Sequence, residues 1–361
     1  MTGGNPFEER RRKIAAGLEE RKLDALLVSF SPNLRYLSGF TGSNGNLLIL
    51  PERSVFFTDP RYLIQAGEEV SCDVKIAKGP LVLDVAAAIK RMKLSSIGYE
   101  PARMTCDFYE SLNARLPLKA SLKPAPNWVE EMRAIKSPAE IDMIRRSVET
   151  NSRAFEQTVA RVKPGMKEQE LAAELEYRMR RLGAEKPAFE TIVAGGARSA
   201  LPHAQPTAAP LRPGGLVVVD MGAVQAGYSS DMTRMLFVGA PTPRVKRTYR
   251  AVLEAQLAAI DAVRAGASTS YVDGQARRVL KGYGLDRAFV HSTGHGLGLE
   301  IHEPPRIGSR DKHRLAAGMA ITIEPGVYLE GFGGIRIEDT VVVTETGCEI
   351  LTPTSKELRA V

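Results

Sequence analysis

The segment Leu211-Arg-Pro-Gly214-Gly-Leu-Val-Val-Val-Asp220-Met-Gly222 aligns without a gap on Leu315-Ala-Ala-Gly318-Met-Ala-Ile-Thr-Ile-Glu324-Pro-Gly326, at an offset of 104 residues. Upstream, Val162-Lys-Pro-Gly165 matches Val263-Arg-Ala-Gly266 at an offset of 101, each opening a helical pattern that ends near Gly183 or Gly284. A repeated unit of this kind cannot bury its apolar face alone, so the copies must pack on each other. The pattern predicts a pseudo-two-fold domain whose halves each consist of helices followed by a strand pair.

Each copy carries acid at its strand ends. Leu216 to Val219 is an apolar, β-branched run that reads as a buried strand, and Tyr228 to Val238 reads as its return. A regular hairpin centred between Gln225 and Ala226 sets Asp220 directly opposite Asp231, with Cβ atoms roughly 5 Å apart. In the second copy, Glu330-Gly-Phe-Gly-Gly334 turns the chain, and Glu324 and Glu338 are symmetric about Gly331. Four carboxylates then meet at the centre of the domain. Carboxylates that close repel unless they are protonated or share a cation, and each uncompensated buried charge costs several kcal/mol. Hard divalent ions suit such oxygen donors, and a two-metal centre is the economical reading.

Four of the 5 histidines fall in two patches, His203 in Leu201-Pro-His-Ala and the run His291-Ser-Thr-Gly-His295-Gly-Leu-Gly-Leu-Glu-Ile-His302-Glu. Gly294, Gly296 and Gly298 disfavour a helix, which rules out a helical zinc motif, and they let the backbone approach a neighbour closely. His295, flanked by glycines, is the natural fifth ligand, with the other imidazoles in an outer shell where they donate hydrogen bonds or shuttle protons. Arg336 alternates with Glu338 and so shares its face, where it either orients a substrate anion or pairs with Glu338 or Asp231. His313, in a charged loop, reads as exposed.

The remaining chain frames this site. With 361 residues, 43% of them hydrophobic, it is long enough for two domains. Residues 1–123 read as an α/β domain: helical spacing over 7–22, 81–93 and 105–116, strands over 24–30, 45–50, 54–58 and 95–99, and a loop from Ser31-Pro-Asn. The prolines at 124 and 126 mark 124–135 as a linker. Ser137-Pro138-Ala-Glu140 is a capping box that opens the second domain, 136–361. Met1 to Glu20 is charged rather than apolar, which predicts a cytoplasmic setting, and Cys72, Cys106 and Cys348 are dispersed with no CxxC pattern, so they predict reduced thiols. The basic cluster Arg10-Arg-Arg-Lys13 is interleaved with glutamates on a helical face, and the formal charge of +7 points to no nucleic-acid partner. No run approaches a membrane span.

Taken together, these residues resemble the pita-bread metallopeptidases, most closely the Xaa-Pro peptidase branch of aminopeptidase P and prolidase. The motif His-x-x-Gly-His-Gly-Leu-Gly-Leu-x-x-His-Glu at 291–303 and the ordered series Asp220, Asp231, His295, Glu324 and Glu338 carry the resemblance. It implies an α/β (α+β) chain with a creatinase-like N-terminal domain and a pita-bread catalytic domain. Two divalent ions, manganese, cobalt or zinc, would be held by those five residues. Glu324 would assist as general base, His203 and His302 would stabilise the tetrahedral intermediate, and His291 and Arg336 would support them. The substrates implied are proline-containing peptides, and the assembly a homodimer or larger.

Methionine aminopeptidase shares the ligands but lacks this N-terminal domain. Creatinase has both domains but lacks the ligands, and binding proteins on this fold characteristically lose them. Within the branch, a prolidase needs a cation to read the free carboxylate of a dipeptide. The run Phe189 to His203 tips the reading toward Xaa-Pro aminopeptidase activity, with Xaa-Pro dipeptidase as the alternative.

Overall fold

The structure is a computed structural model that describes residues 4–361. Two compact units are present, Met1–Met132 and Arg133–Val361.

The first unit is built on a mixed six-stranded sheet in the order Asp73–Ile76, Ser54–Thr58, Asn46–Ile49, Ala25–Val28, Ser96–Tyr99, Ser121–Pro124. Helices Pro6–Ala16, Leu81–Arg91 and Cys106–Asn113 occupy the expected places, each shorter than its periodic pattern. Three features differ from the sequence reading. Ser31-Pro-Asn opens a helix, Ser31–Ser38, rather than a loop, because proline is tolerated in a first turn where its missing N–H costs nothing. The edge strands Asp73–Ile76 and Ser121–Pro124 carry no apolar run, since an edge strand is only half covered. Helix Trp128–Ala134 occupies much of the stretch read as a linker.

The second unit shows the duplication directly. Helices Pro138–Val159 and Glu168–Arg181 precede strands Leu216–Met221 and Met232–Phe237; helices Pro243–Asp261 and Thr269–Gly282 precede Ala320–Ile323 and Asp339–Val343. Ser137 and Glu140 form the predicted capping box. Matching glycines make matching contacts: Gly165 N donates to Leu211 O and Gly266 N to Leu315 O, both at 2.8 Å. Gly214 and Gly318 both adopt left-handed backbone, φ +80° and +87°, at the turns that enter the two central strands.

Alternation along Leu216–Met221 divides its side chains between two cores. Val217, Val219 and Met221 pack with Phe155, Leu171 and Leu175 of the first helix pair. Leu216 and Val218 pack with Ile321, Ile323, Val341 and the second helix pair. Asp220 follows on the second face, where the strands of the two halves meet.

Candidate metal centre and active site

The two hairpins are not registered alike. In the second, Ile323 pairs Asp339 and Gly326 pairs Arg336, so Glu324 stands opposite Glu338, as its symmetry about Gly331 predicts. In the first, Asp220 pairs Thr233, not Asp231. Gln225 pairs Tyr228, which centres the turn between Ala226 and Gly227. Left-handed backbone at both residues, φ +50° and +79°, makes the tight two-residue turn. Moving a turn by one residue shifts the register by two and preserves the face. Asp231 therefore lies diagonal to Asp220, still on its side of the sheet, just before the strand resumes at Met232.

One cavity of about 810 Å³ is lined by Asp220, Asp231, His295, Glu324 and Glu338, and also by Arg336 and all five histidines. Asp231, His295 and Glu338 each offer a donor atom within 4.8 Å of the others. His295 Nε2 lies 3.6 Å from Asp231 Oδ2 and 3.4 Å from Glu324 Oε1. Donors about 2.1 Å from a common ion stand roughly 3 to 3.5 Å apart. His295 Nδ1 donates to Gly296 O at 3.0 Å, which leaves the Nε2 lone pair facing the carboxylates. Burial lowers the His295 pKa and keeps the ring neutral. Asp220 Oδ1 is buried without a hydrogen-bond partner, an orphaned acceptor that a cation would satisfy. The donor set thus fits hard or borderline divalent ions.

The electrostatics agree. Burial, then the charges of Glu338, Asp220 and Glu324, raise Asp231 well above the carboxylate range, against the opposing pull of Arg336. Burial, then Glu324 and Asp220, raise Glu338 likewise. Glu324 is pushed up to about 7, chiefly by burial, with Arg336 opposing and Asp220 reinforcing. Without cations the protein holds these acids by keeping protons on them.

Arg336 is 3% exposed and makes four hydrogen bonds within the chain. Its partners are Asp220 Oδ2 at 2.5 Å, Tyr328 Oη at 2.6 Å, Thr233 Oγ1 at 3.0 Å and Pro202 O at 3.2 Å. The pairing expected with Glu338 or Asp231 is replaced by Asp220, and the guanidinium is committed to the protein rather than open to a substrate anion. The Pro202 bond ties it to the residue before His203. His291 is lowered to about 4 by burial, so it is neutral at pH 7. Its Nδ1 donates to Ser292 O at 2.8 Å, and its Nε2 accepts from Tyr328 Oη at 2.9 Å. His291 therefore acts through Tyr328 on Arg336 and Asp220.

His203 and His302 are exposed on the cavity wall, with the His302 ring edge-on to His295 at 4.4 Å. His313, at the mouth, is largely exposed and bonds Asp311 Oδ1 at 2.6 Å. The glycines of the His-rich run meet protein, not ligand. A Cβ on Gly294 would lie 1.9 Å from Thr322 O, and one on Gly296 2.3 Å from Pro304 O.

Four site residues escape the sequence reading. Tyr328 and Thr322 sit among apolar strand residues and look like core. Thr322 Oγ1 accepts from His295 N at 3.1 Å and donates to Glu324 Oε1 at 3.3 Å. Thr233 bonds Glu338 Oε2 at 2.7 Å, and the repeat could have found it, as the counterpart of Glu338. Arg306 lines the cavity, and among the described residues nothing pairs with its guanidinium.

Comparison with known proteins agrees with this geometry. The chain is 37% identical over 352 residues to the Xaa-Pro dipeptidase of Pyrococcus horikoshii, spanning 98% of this chain and 99% of that one. The solved structure of Xaa-Pro dipeptidase from Bacillus anthracis superposes with a TM-score of 0.95 at 36% identity, over 98% of this chain and 100% of that one. X-Pro aminopeptidase from Thermotoga maritima gives 0.89 at 37% identity, over 95% and 99%. Residues 10–135 match the creatinase/prolidase N-terminal domain. Residues 142–345 match the metallopeptidase pattern, and with the carboxylate-lined cavity falling inside that match, the chain belongs to metallopeptidase family M24.

Proposed function

We propose that the protein is a dinuclear-metal Xaa-Pro dipeptidase, a prolidase, with Asp220, Asp231, His295, Glu324 and Glu338 as metal ligands. The observation that carries the metal reading is that four acids and one neutral imidazole line one cavity, with donor atoms of Asp231, His295 and Glu338 within 4.8 Å of one another and Asp220 Oδ1 left without a partner. Manganese, cobalt and zinc all suit a carboxylate-rich set with one imidazole. The dispersed, unpaired cysteines support a cytoplasmic setting, and the resemblance supports a homodimer, which sedimentation would test.

Preference for longer peptides, toward which the 189–203 stretch leans, gives way to the dipeptidase alternative. The relatives from Pyrococcus horikoshii and Pyrococcus furiosus are both Xaa-Pro dipeptidases. Arg306 supplies the cation that such specificity needs, an unpartnered guanidinium in the cavity wall able to receive the free carboxylate of proline.

Divalent ions, when bound, supply Lewis-acid polarisation and the acidification of water. The chain supplies the rest. Glu324, on the cavity wall 3.4 Å from His295 Nε2, takes a proton from the attacking water and passes it to the leaving nitrogen. His203 and His302 on the wall donate to the developing oxyanion. Arg336, braced by Tyr328, fixes Asp220. The bond before proline has no N–H, so general peptidases handle it poorly and a dedicated site is needed.

The test compares Ala-Pro with Ala-Pro-Ala, on chelator-stripped protein and after Mn²⁺ is restored. Cleavage of Ala-Pro alone, and only with metal, is the expected result. Full activity in stripped protein would sink the mechanism, and efficient cleavage of Ala-Pro-Ala would restore the aminopeptidase reading.

A further inference from the structure

Behind the site lies a second ionic cluster. Asp220 faces Thr233 and Glu324 faces Glu338, so Arg234 and Asp339, the next residues along, occupy equivalent positions in the two halves. There the repeat carries opposite charges, and they meet. Arg234 Nη2 lies 2.7 Å from Asp339 Oδ1, with both side chains at most 2% exposed.

Every N–H of the Arg234 guanidinium is used. Beyond Asp339, it donates to Thr233 O at 3.0 Å, Glu338 O at 2.5 Å, Thr354 O at 2.8 Å and Ser355 O at 3.0 Å. One side chain thus grips the backbone of Thr233, Glu338 and the C-terminal stretch together. Asp339 Oδ2 accepts from Gln256 Nε2 at 2.9 Å and Lys356 Nζ at 2.5 Å. Lys356 also donates to Gln256 Oε1 at 3.0 Å, and its carbonyl accepts from Tyr249 Oη at 2.5 Å.

A buried ion pair is a poor way to cement two sheets, because desolvation consumes most of its attraction. Directional hydrogen bonds to the carbonyls of Glu338, whose side chain lines the cavity, and of Thr233, whose hydroxyl bonds that carboxylate, do something an apolar contact cannot. They set where the Glu338 carboxylate starts from.

We propose that Arg234 and Asp339 are positioning residues for the metal centre, fixing the spacing of the two carboxylate hairpins, with Lys356 as a latch supplied by the C-terminal stretch. This rests on the metallopeptidase reading above. Outer-shell partners of this kind typically change metal affinity roughly 10- to 100-fold.

The experiment titrates chelator-stripped full-length protein with Mn²⁺ by calorimetry, for wild type, Arg234→Lys, Asp339→Asn and Lys356→Met, alongside thermal melts and Ala-Pro kinetics. The expected result is a Kd for Mn²⁺ weakened at least about tenfold in each variant. At saturating Mn²⁺, kcat should return toward wild type, with KM for Ala-Pro unchanged. A lowered Tm with wild-type Mn²⁺ affinity would show the cluster to be structural only and overturn the inference. If Arg234→Lys does not fold, Lys356→Met decides alone, because it leaves the Arg234–Asp339 pair in place. Wild-type protein that binds none of Mn²⁺, Co²⁺ and Zn²⁺ would overturn the metallopeptidase reading and this inference with it, an outcome distinct from unchanged binding in the variants.

Discussion

Thr233 Oγ1 donates to Glu338 Oε2 at 2.7 Å, joining the hydroxyl of one hairpin to the acid that occupies its equivalent place in the other. The duplicated halves are therefore chemically unequal at this point. The first contributes a hydroxyl where the second contributes a carboxylate, and its own second acid, Asp231, has moved two residues along. Thr233→Val keeps the shape, removes the donor to Glu338 and leaves Arg336 Nε without its acceptor. Unmade hydrogen bonds of this kind cost about 1 to 3 kcal/mol. We expect kcat/KM to fall about tenfold or more, with Thr233→Ser close to wild type; equal losses in both variants would show that the hydroxyl is not what matters.

Asp231→Asn should have opposite effects on function and on apo stability. It removes a metal-ligating charge, so Mn²⁺ binding and turnover should nearly vanish. It also removes a carboxylate that burial and three acidic neighbours disfavour, so the chelator-stripped variant should melt above stripped wild type at pH 8. Calorimetry and thermal melts read the two effects separately, and unchanged turnover would take Asp231 out of the ligand set.

Stripped protein should lose stability as pH rises. Asp231, Glu338 and Glu324 have folded-state values above their unfolded ones, so folding favours the protonated forms. That stability is complete below about pH 4 and is lost as pH climbs through the folded values, about 7 for Glu324. Melts at pH 5 and pH 8 should show a lower Tm at pH 8 without metal. Mn²⁺ should narrow the gap, and an equal gap with and without Mn²⁺ would count against a cation at these acids.

Glu303 behaves in the opposite sense. Its carboxylate sits 2.5 Å from Arg133 and 3.0 Å from Lys136. Burial raises its pKa, but Lys136 and Arg133 outweigh that and hold it at about 2. The contribution is fully present above about pH 4.5 and is lost as pH falls toward 2. Breaking a buried pair costs about 3 to 5 kcal/mol, so Glu303→Gln should lower Tm sharply at pH 7. The difference from wild type should shrink in melts at pH 3 and below.

Arg306→Met tests the dipeptide end of the cavity. KM for Ala-Pro should rise at least about tenfold, the scale of one charge-assisted hydrogen bond, while kcat changes little. Wild type should prefer Ala-Pro to its C-terminal amide, and the variant should lose that preference. A preference that survives the substitution would assign carboxylate recognition to another group.

Much of this was legible in the chain because it is periodic or local. The 104-residue repeat, the symmetry of Glu324 and Glu338 about Gly331, and the Ser137–Glu140 cap all depend on spacing alone, and each appears in the fold. The turn of the first hairpin lies one residue beyond the centre its spacing predicts, since both centres offer turn-forming residues and only the ladder hydrogen bonds distinguish them. Tertiary structure alone decided what Arg336, Tyr328, Thr233 and Arg306 do. Spacing places Arg336 and Thr233 on the site's face but not their partners, Asp220 for Arg336 and Glu338 for Thr233; Tyr328 and Arg306 read as ordinary strand residues until packing sets one against Arg336 and leaves the other, among the described residues, unpaired on the cavity wall. The sequence by itself determined which acids converge, because like charges placed by a repeat on one buried face require a common solution. Which cation braces them and which stays open was decided only by packing, because a guanidinium is committed or available according to what lies within about 3 Å of it.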